Sequence, residues 1–154
     1  MTPLTIRTAQ EKDAVSLSML YPHWGIERCK KRIKNSLALD SQLRLVAELD
    51  GKVVGHIYVK IGQMHHSHIA TIYSLMVKPG QRGKGIATKL VKKAIELLPR
   101  ETEILLLQTQ CDNTAAQELF KKLGFEEYGY LPKAFKRDGK YKDNILMYRA
   151  RALS

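Results

Sequence analysis

The sequence predicts an α/β fold built on a mixed and largely antiparallel sheet of about seven strands, flanked by about four helices. The first half of the chain contains alternating apolar segments joined by a tight turn, which indicate an antiparallel hairpin. A strand, a glycine-rich turn, a helix and another strand then follow, a succession typical of a parallel crossover. Two more alternating segments come last. At 154 residues, the chain is expected to form one domain over residues 1–154.

The first half is expected to contain three strands and two helices. Apolar residues alternate with polar ones in the strands and recur every three to four residues in the helices. Asp50-Gly51 favours a two-residue hairpin turn, and Gly55 indicates a bulge. The expected strands are residues 2–8, 43–48 and 53–61, and the expected helices are residues 11–20 and 26–39.

The second half is expected to contain four strands and two helices. Pro79-Gly80 ends a strand that is rich in β-forming residues, and Pro99 ends the helix that follows. Thr114 and Gln117 form a capping box at the start of the last helix, and Gly124 is a suitable stop for it. The expected strands are residues 72–77, 103–110, 125–131 and 140–148, and the helices are residues 86–98 and 114–123. The apolar side of the first of these helices is expected to be Ile86, Leu90, Val91, Ala94, Leu97 and Leu98.

Residues 81–85 connect a strand to the N-terminus of a helix, a position suited to binding an anion. The first helical turn has free main-chain N–H groups, and the helix dipole adds partial positive charge there. Gly83 and Gly85 lack Cβ atoms, so a phosphate can approach the main chain closely, while Arg82 and Lys84 add charge. We therefore expect a pyrophosphate or another compact anion at this turn.

Two motifs resemble those of the GNAT superfamily of N-acyltransferases. Residues 82–87, Arg-Gly-Lys-Gly-Ile-Ala, match its [Q/R]-x-x-G-x-[G/A] signature and follow an L-x-V-x-P strand at residues 75–79. Residues 113–125 are similar to the family's N-x-x-A-x-x-L-Y-x-x-x-G-F segment. The resemblance implies a sheet splayed between its fourth and fifth strands, where the pantetheine arm of acetyl-CoA inserts.

The resemblance also implies a coenzyme site and a reaction, the transfer of an acetyl group from acetyl-CoA to the amine of an acceptor. The main chain of Leu75 and Val77 would pair with the pantetheine arm, and the turn would hold the pyrophosphate. Asn113 would lie near the arm beyond the fifth strand. The residues expected to bind acetyl-CoA are Leu75, Met76, Val77, Gln81, Arg82, Gly83, Lys84, Gly85, Ile86, Ala87, Thr88, Asn113 and Phe120.

Two positions depart from the family pattern and leave the catalytic residues unassigned. Phe120 stands where the family often has a tyrosine that steadies the leaving thiolate, and Ser74 stands where many relatives have a glutamate base. Other groups could serve as acid or base by their strand positions alone. The alternatives are Tyr128, Tyr130 or water for the acid, and Tyr73, His56 or Glu48 for the base.

The acceptor is not identified by the sequence. In the family, the helical region after the first strand forms much of the acceptor wall, and Tyr21, His23 and Trp24 are the candidates here, although Trp24 could equally pack under its loop. Residues 64–68 contain three histidines, but a tract this short without a nearby carboxylate or cysteine favours a polar loop over a metal site.

The net charge of +11 suits an anionic coenzyme, an anionic acceptor or a nucleic acid. The basic residues lie in dispersed clusters without interleaved aromatic residues, so nucleic acid is the less favoured partner. An acyl-CoA-binding module without efficient catalysis is the other alternative. No apolar run approaches a membrane span and two cysteines suit a reducing compartment, so we expect a cytoplasmic protein. Dimers are common in the family that the sequence resembles, so the oligomeric state stays open between a monomer and a homodimer.

Overall fold

A computed structural model describes residues 3–151, and within this range its elements follow the predicted order. The strands are β1 (Thr5–Thr8), β2 (Gln42–Leu49), β3 (Lys52–Ile61), β4 (Ile69–Val77), β5 (Ile104–Gln110), β6 (Glu126–Arg137) and β7 (Lys140–Ala150). The helices are α1 (Ala14–Leu20), α2 (Gly25–Ala38), α3 (Ile86–Leu97) and α4 (Thr114–Lys122). None of these helices is long and apolar enough to span a membrane.

The strands form one sheet in the order β1-β2-β3-β4-β5-β7-β6. All neighbouring strands are antiparallel except β4 and β5, which are joined through α3 and run parallel. The predicted mixed, largely antiparallel α/β sheet is therefore confirmed.

One face of the sheet packs against α3 and holds the larger apolar core. Ile86 and Leu90 of α3 are buried against β2 and β3, in a cluster that continues to Phe120 and Met147. Gly55 suits this close packing, because a Cβ atom there would lie only 3.0 Å from Leu90 Cδ1 and the leucine would have to shift. The bulge expected at Gly55 falls one residue earlier, since Ala47 pairs with Gly55 and Glu48 with Val53.

The opposite face packs against α1 and α2 around a second, smaller cluster. Leu17 of α1, Cys29 and Ile33 of α2 and Val46 of β2 are fully buried there. Because side chains alternate across a strand, Arg44 and His56 share this face with Val46. Two polar side chains therefore lie beneath the helices, next to an apolar cluster.

Both two-residue hairpin turns use the same backbone geometry. Asp50 and Gly51 have φ angles of 53° and 74°, and Asp138 and Gly139 have φ angles of 52° and 73°. Positive values at both central residues define the turn type that matches strand twist, so the predicted Asp50-Gly51 hairpin is confirmed. The second turn joins β6 directly to β7.

Several boundaries differ from the prediction. Glu11–Asp13 forms a short 3-10 turn before α1, and β6 continues past its predicted end to Arg137. Leu97, predicted on the apolar side of α3, is 48% exposed. The predicted capping box of Thr114 and Gln117 is wrong: Asn113 is the N-cap, and its side chain accepts from the Ala116 N–H. Thr2, predicted in the first strand, lies outside the described residues.

Candidate functional site

A cleft opens where β4 and β5 separate, as the resemblance predicted. The two strands pair over only four residues, from Ile69 with Ile104 to Ile72 with Leu107. Tyr73 follows immediately and is an extra residue in the β3–β4 register, since Tyr58 pairs with Ser74 and Val59 with Ile72. A bulge bends its strand, so Tyr73 accounts for the divergence of β4 from β5 at this point. The cleft has a volume of about 920 Å³.

The glycine-rich turn lies at one end of this cleft. Gly83 and Gly85 have φ angles of 78° and 79°, and Gly85 is the N-cap of α3. A Cβ atom on either glycine would meet nothing within 4 Å, so the main chain borders open space. Among the described residues no side chain caps α3, and its first ladder bond runs from Lys89 N–H to the Gly85 carbonyl. The N–H groups of the first turn are thus available to an anion.

The two basic residues of the turn make contacts within the protein. The Nε of Arg82 donates to the Val77 carbonyl at 3.1 Å, which ties the turn to the end of β4. Lys84 donates to the Gln81 side chain at 3.0 Å. Of the residues expected at the coenzyme site, Lys84 does not line the cleft. Those that do are Leu75, Met76, Val77, Gln81, Arg82, Gly83, Gly85, Ile86, Ala87, Thr88, Asn113 and Phe120.

The cleft also contains residues that sequence reasoning missed. They come from the far wall, formed by β5 with the ends of β6 and β7, and include Gln108, Thr109, Gln110, Phe135 and Asn144. The polar residues Gln108, Thr109 and Gln110 follow the apolar start of β5, and this change of composition could have indicated that only the first part of the strand is covered on both faces. Phe135 and Asn144 carry no local signal, since long-range pairing alone places them here.

Phe120 combines a core position with a place on the cleft wall. Its ring is 5% exposed and packs edge-on against Phe125, with centroids 5.4 Å apart and planes at 74°. Such aromatic pairs stabilise the fold beyond the area they bury. Phe120 has no proton to donate, so its contribution here is packing and shape.

The structure separates the acid and base candidates. Glu48 lies away from the cleft and pairs with Arg7 at 2.6 Å. Tyr128 packs against Tyr148, and the Tyr130 hydroxyl donates to the Asp143 carboxylate, which raises the pKa of Tyr130 to about 12. None of these groups lines the cleft, whereas Tyr73 and Ser74 do.

His56 belongs to a buried hydrogen-bond chain with Arg44 and Tyr21. Arg44 Nη1 lies 2.9 Å from His56 Nε2, and the Tyr21 hydroxyl lies 2.9 Å from His56 Nδ1. Arginine is a donor only, so Nε2 must accept and carry no proton. Neutral His56 therefore holds its proton on Nδ1 and donates it to the Tyr21 oxygen. Because arginine can only donate, Arg44 fixes the donor-to-acceptor direction of both hydrogen bonds, from Arg44 to His56 and from His56 to Tyr21.

The electrostatics of this chain exclude His56 as a general base. Burial, and after it the charge of Arg44, lowers the pKa of His56 to about 3. Its one free lone pair already accepts from Arg44. Burial raises the pKa of Tyr21, and Arg44 and the Ser74 hydroxyl only partly oppose that effect. Tyr21 lines the cleft, so the hydrogen-bond chain from Arg44 through His56 reaches the cleft at the Tyr21 hydroxyl.

The other two residues predicted at the acceptor wall, Trp24 and His23, lie in different surroundings. Trp24 stacks on Tyr21 with ring centroids 4.0 Å apart, and Arg32 lies over its other side at 4.4 Å from the centroid. Trp24 therefore packs behind Tyr21, while His23 is exposed. The histidine tract forms a 3-10 turn, Met64–His66, and the described residues contain no group of three or more side chains suited to hold a metal.

Comparisons with known proteins agree with the fold and the motifs. A sequence profile of the acetyltransferase (GNAT) family matches residues 12–125. Over 98% of its length, the chain is 26% identical to the L-amino acid N-acetyltransferase AaaT of Escherichia coli (strain K12), all of which is covered.

Two solved structures are also similar. The ribosomal-protein-alanine N-acetyltransferase from Brucella melitensis gives a TM-score of 0.85 at 26% identity, with 95% of this chain and 99% of that one covered. The structure of yncA from Salmonella typhimurium with its cofactor acetyl-CoA gives a TM-score of 0.85 at 21% identity, covering 99% and 96%. At that identity, the second likeness concerns the fold.

Proposed function

This chain belongs to the acetyltransferase (GNAT) family, and on that premise we propose that it transfers an acetyl group from acetyl-CoA to a primary amine. We propose further that residues 1–154 form a single acetyltransferase domain. The relatives' names support N-acetyl transfer as the reaction class.

One observation carries the proposal: the open edge of β4 leads directly to the uncapped N-terminus of α3. The first part suits an extended pantetheine arm, which would pair with the main chain of Leu75 and Val77 as an added strand. The second part suits a pyrophosphate, which would accept from the N–H groups around Gly83 and Gly85. The cleft thus offers one region suited to each of the two chemically different parts of coenzyme A.

The reaction would be direct attack in a ternary complex. The neutral amine attacks the thioester carbon, a new N–C bond forms, and the C–S bond breaks to release the CoA thiolate. A main-chain N–H near Val77 would stabilise the oxyanion, and positioning would supply much of the acceleration. The amine proton would leave through water, because no carboxylate or imidazole among the described residues lines the cleft.

The same lining supports a second candidate function, an acyl-CoA-binding module with little turnover. Phe120 and Ser74 occupy two positions where relatives often have an acid and a base, and Phe120 is packed in the core. In that case the cleft would bind acetyl-CoA and leave amines unmodified. Free thiols at Cys29 and Cys111 support a reducing compartment for either function.

Calorimetric titration with acetyl-CoA tests the site, with free CoA and ATP as controls. We expect acetyl-CoA and CoA to bind and ATP to bind much more weakly, because ATP lacks the pantetheine arm. Release of free thiol in the presence of a panel of amines then tests turnover. Binding without thiol release would favour the second candidate. Absence of binding at low salt would refute both, and a salt-dependent affinity for nucleic acid would be measured next.

A further inference from the structure

Resting on the proposed function, we propose that the acceptor carries a carboxylate near its amine and that the Tyr21 and Ser74 hydroxyls bind this carboxylate. The Tyr21 hydroxyl is the cleft end of the hydrogen-bond chain that starts at Arg44, and Ser74 lines the same cleft. The acceptor class is then an amino acid or a similar aminocarboxylate, in preference to a polyamine. The inference comes from the direction of the chain, the missing counter-charge of Arg44 and the composition of the cleft lining.

Arg44 is a buried cation without an acidic partner. Its residue is 3% exposed, and its Nε is buried without a hydrogen-bond partner. Its guanidinium contacts the Tyr58 ring at 4.2 Å and His56, both of them neutral groups. No carboxylate of the described residues pairs with it or influences its pKa. A buried charge is costly unless it is paired, so an anion brought by the ligand would supply the missing compensation.

The direction of the two hydrogen bonds links Arg44 to the orientation of the Tyr21 hydroxyl in the cleft. Because His56 donates to the Tyr21 oxygen, the hydroxyl proton of Tyr21 must point away from His56. Ser74 lies near enough to lower the pKa of Tyr21, and both residues line the cleft. The chain therefore presents a hydrogen-bond donor to the ligand. A donor at this point binds an oxygen anion through a charge-assisted hydrogen bond, whereas an ammonium group would find only the remaining lone pairs of the two hydroxyls.

The surroundings strengthen this preference. Arg32, which lies over the Trp24 ring stacked on Tyr21, also lowers the pKa of Arg44, so two guanidinium groups lie behind Tyr21. Within residues 3–151, the cleft is lined by no aspartate or glutamate. A polycationic amine such as spermidine would need several carboxylates to replace its hydration, and it would find none here. An aminocarboxylate needs one donor group for its anion and an open path for its amine.

Pairs of acceptors that differ only in charge test the inference. The protein L-amino acids are assayed beside their carboxamides and spermidine, with acetyl-CoA saturating and thiol release as the readout. For the best acids we expect kcat/KM at least about tenfold above that of the matching amides, the loss typical of one hydrogen bond to a charged group. No thiol release from any amine, despite acetyl-CoA binding, would refute the proposed function and this inference together. Equal turnover of acids and amides, or preference for spermidine, would refute this inference alone.

Variants test whether the hydrogen-bond chain from Arg44 to Tyr21 causes the preference for acids over amides. Tyr21→Phe keeps the ring on Trp24 and removes the donor, so we expect kcat/KM for the acid to fall about 10- to 100-fold through KM. The amide should change less than about threefold, because it makes no charged contact. Tyr128→Phe is the matched control outside the cleft and should leave the acid-to-amide ratio unchanged. An equal loss for acid and amide in Tyr21→Phe would show a structural or chemical role and overturn the assignment.

Discussion

Replacing Gly83 by alanine separates coenzyme binding from backbone strain. Gly83 has a φ of 78°, a region that costs a residue with a Cβ atom about 1–2 kcal/mol. Alanine also lowers the entropy of the unfolded chain, which offsets up to about 1 kcal/mol of that cost. A Cβ atom at this position would meet no protein atom within 4 Å. The free energy of unfolding should therefore fall by only about 1 kcal/mol.

The effect on coenzyme binding should be larger. The new methyl group would occupy the space where the pyrophosphate approaches the main chain, and a hydrogen bond to a charged group contributes about 1.5–3 kcal/mol. The affinity for CoA should therefore fall about 10- to 100-fold, since about 1.4 kcal/mol corresponds to tenfold. Calorimetric titration measures the affinity, and urea unfolding measures the stability.

Gly80 provides the matched control for this experiment. It has a φ of 92° and equally open surroundings, but it does not line the cleft. Gly80→Ala should lose a similar amount of stability and keep its affinity for CoA. Equal losses of affinity in the two variants would attribute the effect to strain. Unchanged affinity in Gly83→Ala, or in the more severe replacement of Gly83 and Gly85 by valine, would refute the phosphate site.

Three further predictions concern buried groups. Below about pH 6.5 His56 is protonated in the unfolded chain, but in the native state it stays neutral down to about pH 3. The free energy of unfolding should therefore decrease, as the pH falls through this range, by up to about 1.4 kcal/mol per pH unit. His56→Gln should flatten this slope in urea titrations, and an unchanged slope would contradict it. Burial raises the pKa of Asp13, but hydrogen bonds from Arg7 and Gln10 lower it overall. Asp13→Asn should lower the free energy of unfolding by about 3 kcal/mol at neutral pH, the low end for breaking a buried ion pair, because Arg7 still has Glu48 as a partner. The difference from wild type should shrink as the pH falls below about 4 and Asp13 becomes protonated in the unfolded wild-type chain. Phe120→Tyr should keep the packing on Phe125 and raise kcat by at least about tenfold by supplying an acid. A kcat equal to wild type would show that protonation of the thiolate is not limiting.

The sequence predicted the parts of the molecule that depend on local chemistry. The turn around Gly83 was predictable because glycine, a preceding proline and a helical apolar pattern lie within a few residues of each other. The Asp50-Gly51 hairpin was predictable for the same reason. The length of β6 was not, because Pro132 interrupts the pattern and pairing resumes only at Phe135, beyond an irregularity in the register with β7.

The polar chain beneath the cleft was not predictable from the sequence. His56 is separated by 12 positions from Arg44 and by 35 from Tyr21. An arginine in an alternating strand usually faces solvent, so Arg44 gave no sign of burial. Only the pairing of β2 with β3, together with the packing of α1 over them, brings the three groups together. Tyr21 was expected at the acceptor wall through family resemblance, without any indication of its partners.

The order of the strands has a consequence for synthesis on the ribosome. β7 is made after β6, yet it lies between β5 and β6 in the sheet. During translation, β5 therefore has an unpaired edge until the hairpin of β6 and β7 has emerged and docked as a unit. Phe135 and Asn144 of that hairpin complete the wall of the cleft. An emerging chain would thus form the glycine turn early, but the cleft proposed for the coenzyme would be complete only once the last strand is in place.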